Sequence, residues 1–311
     1  MKVLLTGAAG QLGRALIASC PEGIELLVAA RKVEGGGALA LDLSDAAACH
    51  RAVLEHRPQW VLNAGAYTAV DQAEREPALA EAVNSGAPRA FAAALLETGG
   101  GLLQISTDFV FNGRQGSPYQ PDQVVDPLGV YGATKAAGEQ AALALPAARV
   151  LRTGWVYGPV GKNFCRTLLR LHAQRAAAGE SLGVVADQVG CPTSTRTLAA
   201  ACWRAIGLGA ATLPDSPRIL HWSDAGAASW YDFAVAIGEL GVAAGLLTRA
   251  AELRPLTSAD FPTPARRPSY SLLDCTASRL ALGLEPQHWR AALADVLAEI
   301  RCVEPDAAAA P

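Results

Sequence analysis

Short apolar runs alternate with longer mixed segments over the first half of the chain. Lys2 to Thr6, Glu25 to Ala30, Trp60 to Asn63, Leu102 to Ser106 and Val150 to Arg152 are apolar almost throughout, and each is too short to be a helix. They lack the alternation of a strand with one wet face. This pattern predicts strands covered on both sides, hence a parallel sheet joined by helical crossovers. Ala-rich stretches such as Ala78 to Leu96 supply the crossovers. After residue 153 the rhythm loosens into Gly- and Pro-rich sequence, with helices predicted at Phe164 to Ala178, Thr195 to Leu208 and Ser229 to Leu240. Near the end, Trp289, Ala292, Leu293, Val296, Leu297 and Ile300 fall on one helical stripe, the mark of a core-packed face. The expected fold is α/β: a doubly wound parallel sheet over residues 1–153, a smaller C-terminal α/β lobe over 154–303, and a disordered tail over 304–311.

Composition narrows the partners. A chain of 311 residues, 51% hydrophobic and 18% charged, can bury a large core. Its formal charge of −3 gives no basic field for nucleic acid, so an anionic ligand must be met by local groups. No apolar run reaches membrane-spanning length, and the stretch from Met1 to Leu5 is too short for a signal peptide, so no membrane partner and a cytoplasmic location are expected. The seven cysteines form no C-x-x-C pair, and His50, His56, His172, His221 and His288 follow no ligand spacing, so no metal is expected. Cys191, between Gly190 and Pro192, reads as a loop residue rather than a nucleophile.

Gly7, Gly10 and Gly13 follow the first strand directly and open a helix, with Gln11 and Leu12 between them. Glycine permits a tight turn and close backbone approach to a pyrophosphate, whose charge suits the free N–H groups of a helix start. Strand, glycine turn and helix together predict a Rossmann-type dinucleotide site. An NAD site usually ends the second strand with an acidic residue. Here the chain reads Ala29-Ala30-Arg31-Lys32. These two cations suit a 2′-phosphate and point to NADPH, with NADH as the weaker alternative; the competing reading is a pair of solvated loop charges. Asp42 is a candidate for the adenine amino group, and Asn63 to Tyr67 for the nicotinamide side of the crevice.

Tyr131 and Lys135 stand four apart, on one face of a predicted helix, and Ser106-Thr107-Asp108 ends a strand where open α/β sheets bind ligands. An ammonium about 4 Å from a phenol contributes roughly 4 kcal/mol at an effective dielectric near 20, so Lys135 is expected to lower the Tyr131 pKa by about three. In a carbonyl reduction Tyr131 supplies the proton, Lys135 tunes it and reaches the cofactor ribose, and Thr107 holds the substrate oxygen.

These residues resemble the extended short-chain dehydrogenase/reductase family, and within it the dTDP-4-dehydrorhamnose reductases, over nearly the whole chain. The resemblance is carried by the Gly7 to Gly13 turn, Asn63 to Asp71, Ser106 to Gly113, Val130 to Lys135, Arg152 to Tyr157, Asp187 to Thr193, Ser229 to Tyr231 and Pro262 to Pro268. It implies NADPH-dependent reduction of the C4 keto group of dTDP-4-dehydro-L-rhamnose to dTDP-L-rhamnose. Thr107, Tyr131 and Lys135 take the catalytic roles, and Gly10 to Leu12, Asp42, Leu43, Ala64, Gly65, Ala66 and Tyr67 the cofactor contacts. Thr107, Asp108 and Trp155 face the sugar, with Asn163 and Arg267 near the nucleotide diphosphate; a core position is the other reading of Trp155. Some relatives bind a divalent ion between subunits through a glutamate in the first helix, where this chain has Ala15. A homodimer stays open; a metal bridge is not expected.

Two other readings keep the same scaffold. A nucleotide-sugar 4,6-dehydratase or 4-epimerase would share Tyr131 and Lys135, but a dehydratase needs an acid after Thr107-Asp108, where this chain has Phe109. A non-catalytic NADP-binding regulatory subunit would bind the dinucleotide without turnover. The intact Thr107, Tyr131 and Lys135 set argues against it.

Overall fold

The computed structural model describes residues 1–31, 37–208 and 217–303, apart from the side chain of Val303. Lys32 and the segment 304–311 lie outside the described residues. Thirteen short strands and eleven α-helices follow one another along them. The first half runs β1 (Lys2–Thr6), α1 (Gln11–Ala18), β2 (Glu25–Ala30), β3 (Leu39–Ala40), α2 (Ala46–His56), β4 (Trp60–Asn63), α3 (Val70–Ala73), α4 (Pro77–Glu81), a π-helical turn (Ala82–Gly86), α5 (Ala87–Thr98), β5 (Gly101–Thr107), α6 (Val130–Leu143) and β6 (Ala148–Thr153). The second half runs β7 (Val156–Tyr157), α7 (Phe164–Ala178), β8 (Leu182–Val185), β9 (Val189–Gly190), β10 (Thr193–Ser194), α8 (Thr195–Gly207), β11 (Ile219–His221), β12 (Ala228–Ser229), α9 (Trp230–Ala243), β13 (Leu253–Leu256), α10 (Thr276–Leu282) and α11 (Trp289–Val303).

Seven strands form a parallel sheet in the order β11-β6-β5-β4-β1-β2-β3. The doubly wound α/β fold is therefore as the apolar runs foretell. Its strands alternate between two cores, as the two-residue period requires. Val3, Leu5, Trp60, Leu62 and Leu103 pack with α1 and α8 on one face. Leu4, Val61 and Leu102 pack with α2, α5 and α6 on the other. Both faces are dry, so nothing along these strands needs to be polar.

The sheet and its first core continue past residue 153. Helix α8 and strand β11 return to the sheet, with Leu198, Cys202, Leu220 and Trp222 buried in the first core. The remaining lobe packs α7, α9 and α11 around Tyr157, Phe233, Trp289 and Leu293, with the apolar stripe of α11 turned inward. Five cysteines, including Cys191, are buried, Cys20 is half-buried and Cys302 is exposed. Among the described residues no helix is long and apolar enough to cross a membrane.

One buried ion pair ties α6 to the sheet. Arg152 on β6 donates to both carboxylate oxygens of Glu139 on α6, at 2.9 and 2.7 Å, and to the Pro121 carbonyl at 3.0 Å. Its guanidinium also lies over the Phe111 ring and 3.3 Å from His221 Nε2. Burial, with the Arg152 charge beside it, pushes the His221 imidazole down to about 3, so it stays neutral. Removing one member of such a pair strands the other charge out of water, at a cost of about 3–5 kcal/mol. Glu139→Ala should therefore lower the urea midpoint by that much free energy with the slope unchanged; a loss under about 1 kcal/mol would show that the pair is not the tie between helix and sheet.

Candidate active site

A crevice of about 820 Å³ opens along the carboxyl ends of the strands, at the upper end of the usual size for ligand sites. It lies where the strand order reverses between β1 and β4, the position at which open α/β sheets bind ligands. The turn after β1 forms one end. Gly7 sits at φ +67, and a Cβ there would stand 2.6 Å from the Gly65 backbone. A Cβ on Gly13 would stand 2.3 Å from the Gly7 carbonyl oxygen. Only hydrogen at these two positions lets α1 begin so close to the strand ends. Gly10 precedes α1 with no side-chain cap, leaving the helix-start N–H groups free for an anion. Beneath the turn, the Thr6 hydroxyl donates to Asn63 Oδ1 at 2.5 Å and Asn63 donates to Gln104 Oε1 at 2.7 Å.

The crevice brings together nearly all the residues singled out from the sequence. Gly7, Gly10, Gln11, Leu12 and Gly13 line it, as do Arg31, Asp42, Leu43, Ala64, Gly65, Ala66 and Tyr67. So do Thr107, Asp108, Tyr131, Lys135, Trp155 and Arg267. Arg31 is close enough to Asp42 to help hold its carboxyl low, after the larger effect of hydrogen bonds from the Ser44 backbone and side chain. Arg267 donates to Asp71 Oδ2 at 2.7 Å. Two of the residues singled out do not line the crevice: Asn63 is buried beneath the turn between Thr6 and Gln104, and the Asn163 side chain caps α7 by accepting from Arg166 N–H at 3.0 Å and donates to the Gly158 carbonyl at 2.9 Å. An Asn before a helix is as good a cap as a ligand contact, and here the cap accounts for it.

At the other end stand Tyr131 and Lys135, one turn apart on α6. The geometry corrects the expected electrostatics. Lys135 Nζ donates to the Ile105 carbonyl at 2.6 Å, while loss of solvent, with the Asp108 carboxylate nearby, pushes the Tyr131 phenol up to about 12. A hydrogen bond with Thr107 works the other way. Burial also brings the Lys135 ammonium down to about 8, opposed by the Glu139 carboxylate. Thr107 has one proton and two takers, since it donates to Asp108 Oδ1 at 3.0 Å and also contacts the Tyr131 hydroxyl. Phe109 meets the Tyr131 ring edge-on at 5.6 Å.

Sequence reading overlooked several residues here. Asn84 lies in the π-turn. It accepts from Tyr67 N–H at 2.9 Å and donates to the Tyr67 carbonyl and the Thr134 hydroxyl, each at 3.1 Å, so it joins the loop after β4 to α6. π-turns inside helices often mark functional sites. Trp230 stacks on Trp155 at 3.5 Å with the rings parallel, and also lines the crevice. Glu74 accepts from Val130 N–H at 2.8 Å and so caps α6, whose own preceding residue, Gly129, has no side chain to do it. A hydrophilic residue in an Ala-rich helix, as at Asn84, was the one visible signal.

The cradle fits a dinucleotide. Besides the bare backbone at Gly7 and Gly13, Ser106 Oγ and Thr153 Oγ1 line the crevice buried and without a hydrogen-bond partner among the described residues, two groups a ligand can satisfy.

Comparison with known proteins agrees with this architecture. The family model of the RmlD substrate binding domain matches residues 1–302. A dTDP-4-dehydrorhamnose reductase of Streptomyces griseus is 44% identical over 94% of this chain and 91% of its own length. A probable dTDP-4,6-dihydroxy-2-methyloxan-3-one 4-ketoreductase of Streptomyces antibioticus is 42% identical over 98% of this chain and 97% of its own. Among solved structures, a dTDP-4-dehydrorhamnose reductase from Bacillus anthracis in complex with NADP superposes with a TM-score of 0.82, at 32% identity, covering 96% of this chain and 99% of that one.

Burial outweighs hydrogen bonding at Asp108. Its carboxyl is 2% exposed and pushed up to about 6 by burial, against the hydrogen bonds of Ser271 and Thr107. A rise from 3.8 to about 6 penalises the ionised form by about 3 kcal/mol. With the folded value above the unfolded one, the native state holds its proton more tightly. Stability is thus fully present below pH 3.8 and lost as pH rises through about 6. Asp108→Asn should be more stable than the wild type at pH 8, by up to about 3 kcal/mol, and lose that advantage near pH 4. Equal urea midpoints at both pH values would mean the carboxylate carries no such penalty.

Proposed function

This chain belongs to the RmlD substrate binding domain family, and on that premise we propose that it reduces the C4 keto group of dTDP-4-dehydro-L-rhamnose with NADPH, giving dTDP-L-rhamnose. The observation that carries the proposal is the gathering of Thr107, Tyr131 and Lys135 in the same crevice as the glycine turn. Residues 1–153 supply most of the cofactor site and 154–303 mainly the sugar side, in a cytoplasmic enzyme acting on a small-molecule substrate.

Gly7, Gly10 and Gly13 admit the dinucleotide diphosphate, Arg31 meets the 2′-phosphate, and Ala64 to Tyr67 flank the nicotinamide. When bound, the cofactor supplies hydride to the keto carbon. The chain's own part is the proton. A phenol pushed up to about 12 stays protonated at any working pH, and an alkoxide forming on the sugar is more basic than a phenolate, so transfer from the Tyr131 hydroxyl runs downhill. The phenolate left behind is stabilised by the Thr107 hydroxyl, and Lys135, one turn along, is placed to lend its charge once the substrate and cofactor are bound. Trp155, backed by Trp230, forms an apolar wall for the 6-deoxy sugar.

Phe109 argues against a dehydratase, because it occupies the place of the required acid and carries no exchangeable proton. The Streptomyces antibioticus relative favours a second substrate, another dTDP-4-keto sugar, on the same chemistry.

NADPH oxidation should be followed at the nicotinamide absorbance with dTDP-4-dehydro-L-rhamnose, and with NADH in parallel. Turnover is expected with NADPH, and Tyr131→Phe should lower it by about 10²- to 10⁴-fold without weakening NADPH binding. NADPH binding with no turnover on any dTDP-4-keto sugar would sink the reductase in favour of a regulatory subunit.

The rate should also fall on the alkaline side as the Lys135 ammonium, at about 8, loses its proton. Lys135→Met should remove that limb along with most of the activity. A wild-type rate that stays flat to pH 10, about two units above that value, would take the lysine charge out of the mechanism.

A further inference from the structure

We infer that Lys162 binds the cofactor's diphosphate, brought over the glycine turn by a loop of the C-terminal lobe; this rests on the dinucleotide part of the proposed function. The loop runs from Gly158 to Asn163, between β7 and α7, and it is pinned to the start of α1. Gln11, the first residue of α1, donates to the Val156 carbonyl at 3.1 Å and accepts from Asn163 Nδ2 at 3.3 Å. The Asn163 amide also holds Gly158, while Arg166 donates to the Pro159 carbonyl at 2.7 Å. A Cβ on Gly161 would stand 3.7 Å from the Gln11 Cβ, so this backbone passes directly beside the helix start.

In that loop Lys162 is exposed, lines the crevice, and makes no hydrogen bond or ion pair among the described residues. The other cations of the crevice are differently placed. Arg267 is paired with Asp71, and Lys135 donates to the Ile105 carbonyl. Arg31, directly after β2, lies beside Asp42. NADPH carries charge at two places, the diphosphate and the 2′-phosphate. Arg31 fits the second, and Lys162 stands next to the helix start where the first must lie. The partial positive charge of α1 and the full charge of Lys162 then act on the same anion. Because the loop comes from the C-terminal lobe, cofactor binding would also fasten that lobe to the glycine turn.

The two cations can be told apart with two dinucleotides, since NADH keeps the diphosphate and lacks the 2′-phosphate. Binding of NADPH and NADH is read by nicotinamide fluorescence, without sugar, in the wild type, Lys162→Met, Lys162→Arg and Arg31→Met. Lys162→Met should weaken both dinucleotides by about 10-fold, the order expected for one hydrogen bond to a charged group. Lys162→Arg should come within about 3-fold of the wild type, a residual of under about 0.7 kcal/mol. Arg31→Met should weaken NADPH alone. The inference is overturned if Lys162→Met binds both dinucleotides like the wild type, or loses affinity for NADPH alone. It is equally overturned if Lys162→Met raises only the KM for the nucleotide sugar, which would assign the lysine to the substrate's diphosphate. A wild-type chain that binds neither dinucleotide overturns the dinucleotide reading itself, and this inference with it.

Discussion

The site depends first on how closely three pieces of backbone approach one another at the point where the strand order turns. The turn after β1, the start of α1 and the segment after β4 meet there without a side chain between them. Gly7 lies against Gly65, and Gly13 lies against Gly7. Any Cβ would push α1 away from the strand ends and carry its N–H groups out of reach of an anion. Among the described residues, the polar side chains below, Thr6, Asn63 and Gln104, hydrogen-bond to one another and to nearby backbone, so they hold the strand ends in register without competing for the ligand.

The chemical end is held in a different way. Helix α6 carries Tyr131 and Lys135, and it is fixed by side chains from elsewhere in the chain. Glu74 caps its first N–H, Asn84 reaches it through Thr134, and Arg152 grips Glu139 one turn beyond Lys135. The cost of this arrangement is a row of buried ionisable groups. Asp108, Lys135, Glu139 and Arg152 are each at most 3% exposed, and each would be easier to bury as a hydrocarbon of the same shape. Their survival near one crevice is the compromise between stability and activity expected of a catalytic site, where perturbed ionisation is itself useful.

What the sequence made legible follows from the same physics. Strands covered on both faces are apolar over most of their length, so β1, β2, β4, β5 and β6 stood out, and the glycine turn was visible because close approach permits only glycine. Strands β3 and β11 did not, because two or three residues carry no period and their pairing is fixed by tertiary contact. The segment from Ala78 to Leu96 was legible as helix, but its π-turn was not, since the extra residue is demanded by the Asn84 contacts rather than by local propensity. Asn163 misled because a capping asparagine and a ligand-binding one look alike in sequence. The Tyr131 pKa misled because a four-residue spacing gives proximity to a lysine but says nothing of the solvent both have lost.

The Trp155 end of the crevice is held precisely although it lies in a loop-rich half of the chain. Trp155 adopts φ +52, a conformation that a bulky residue holds only when its surroundings force it, at a cost of about 1–3 kcal/mol. Those surroundings can be named. Its carbonyl accepts from Thr193 N–H at 3.1 Å, its ring lies flat on Trp230, and Gly190 passes so near that a Cβ there would stand 2.6 Å from the indole. Trp230 is anchored in turn, donating from its indole N–H to Gln188 at 3.2 Å, and Gln188 donates to Ser258 at 2.9 Å. The segment from Gln188 to Thr193 is therefore shaped around one tryptophan. A wall held by strain and stacking is formed before any ligand arrives, so on the proposed function the sugar would meet a surface of fixed shape.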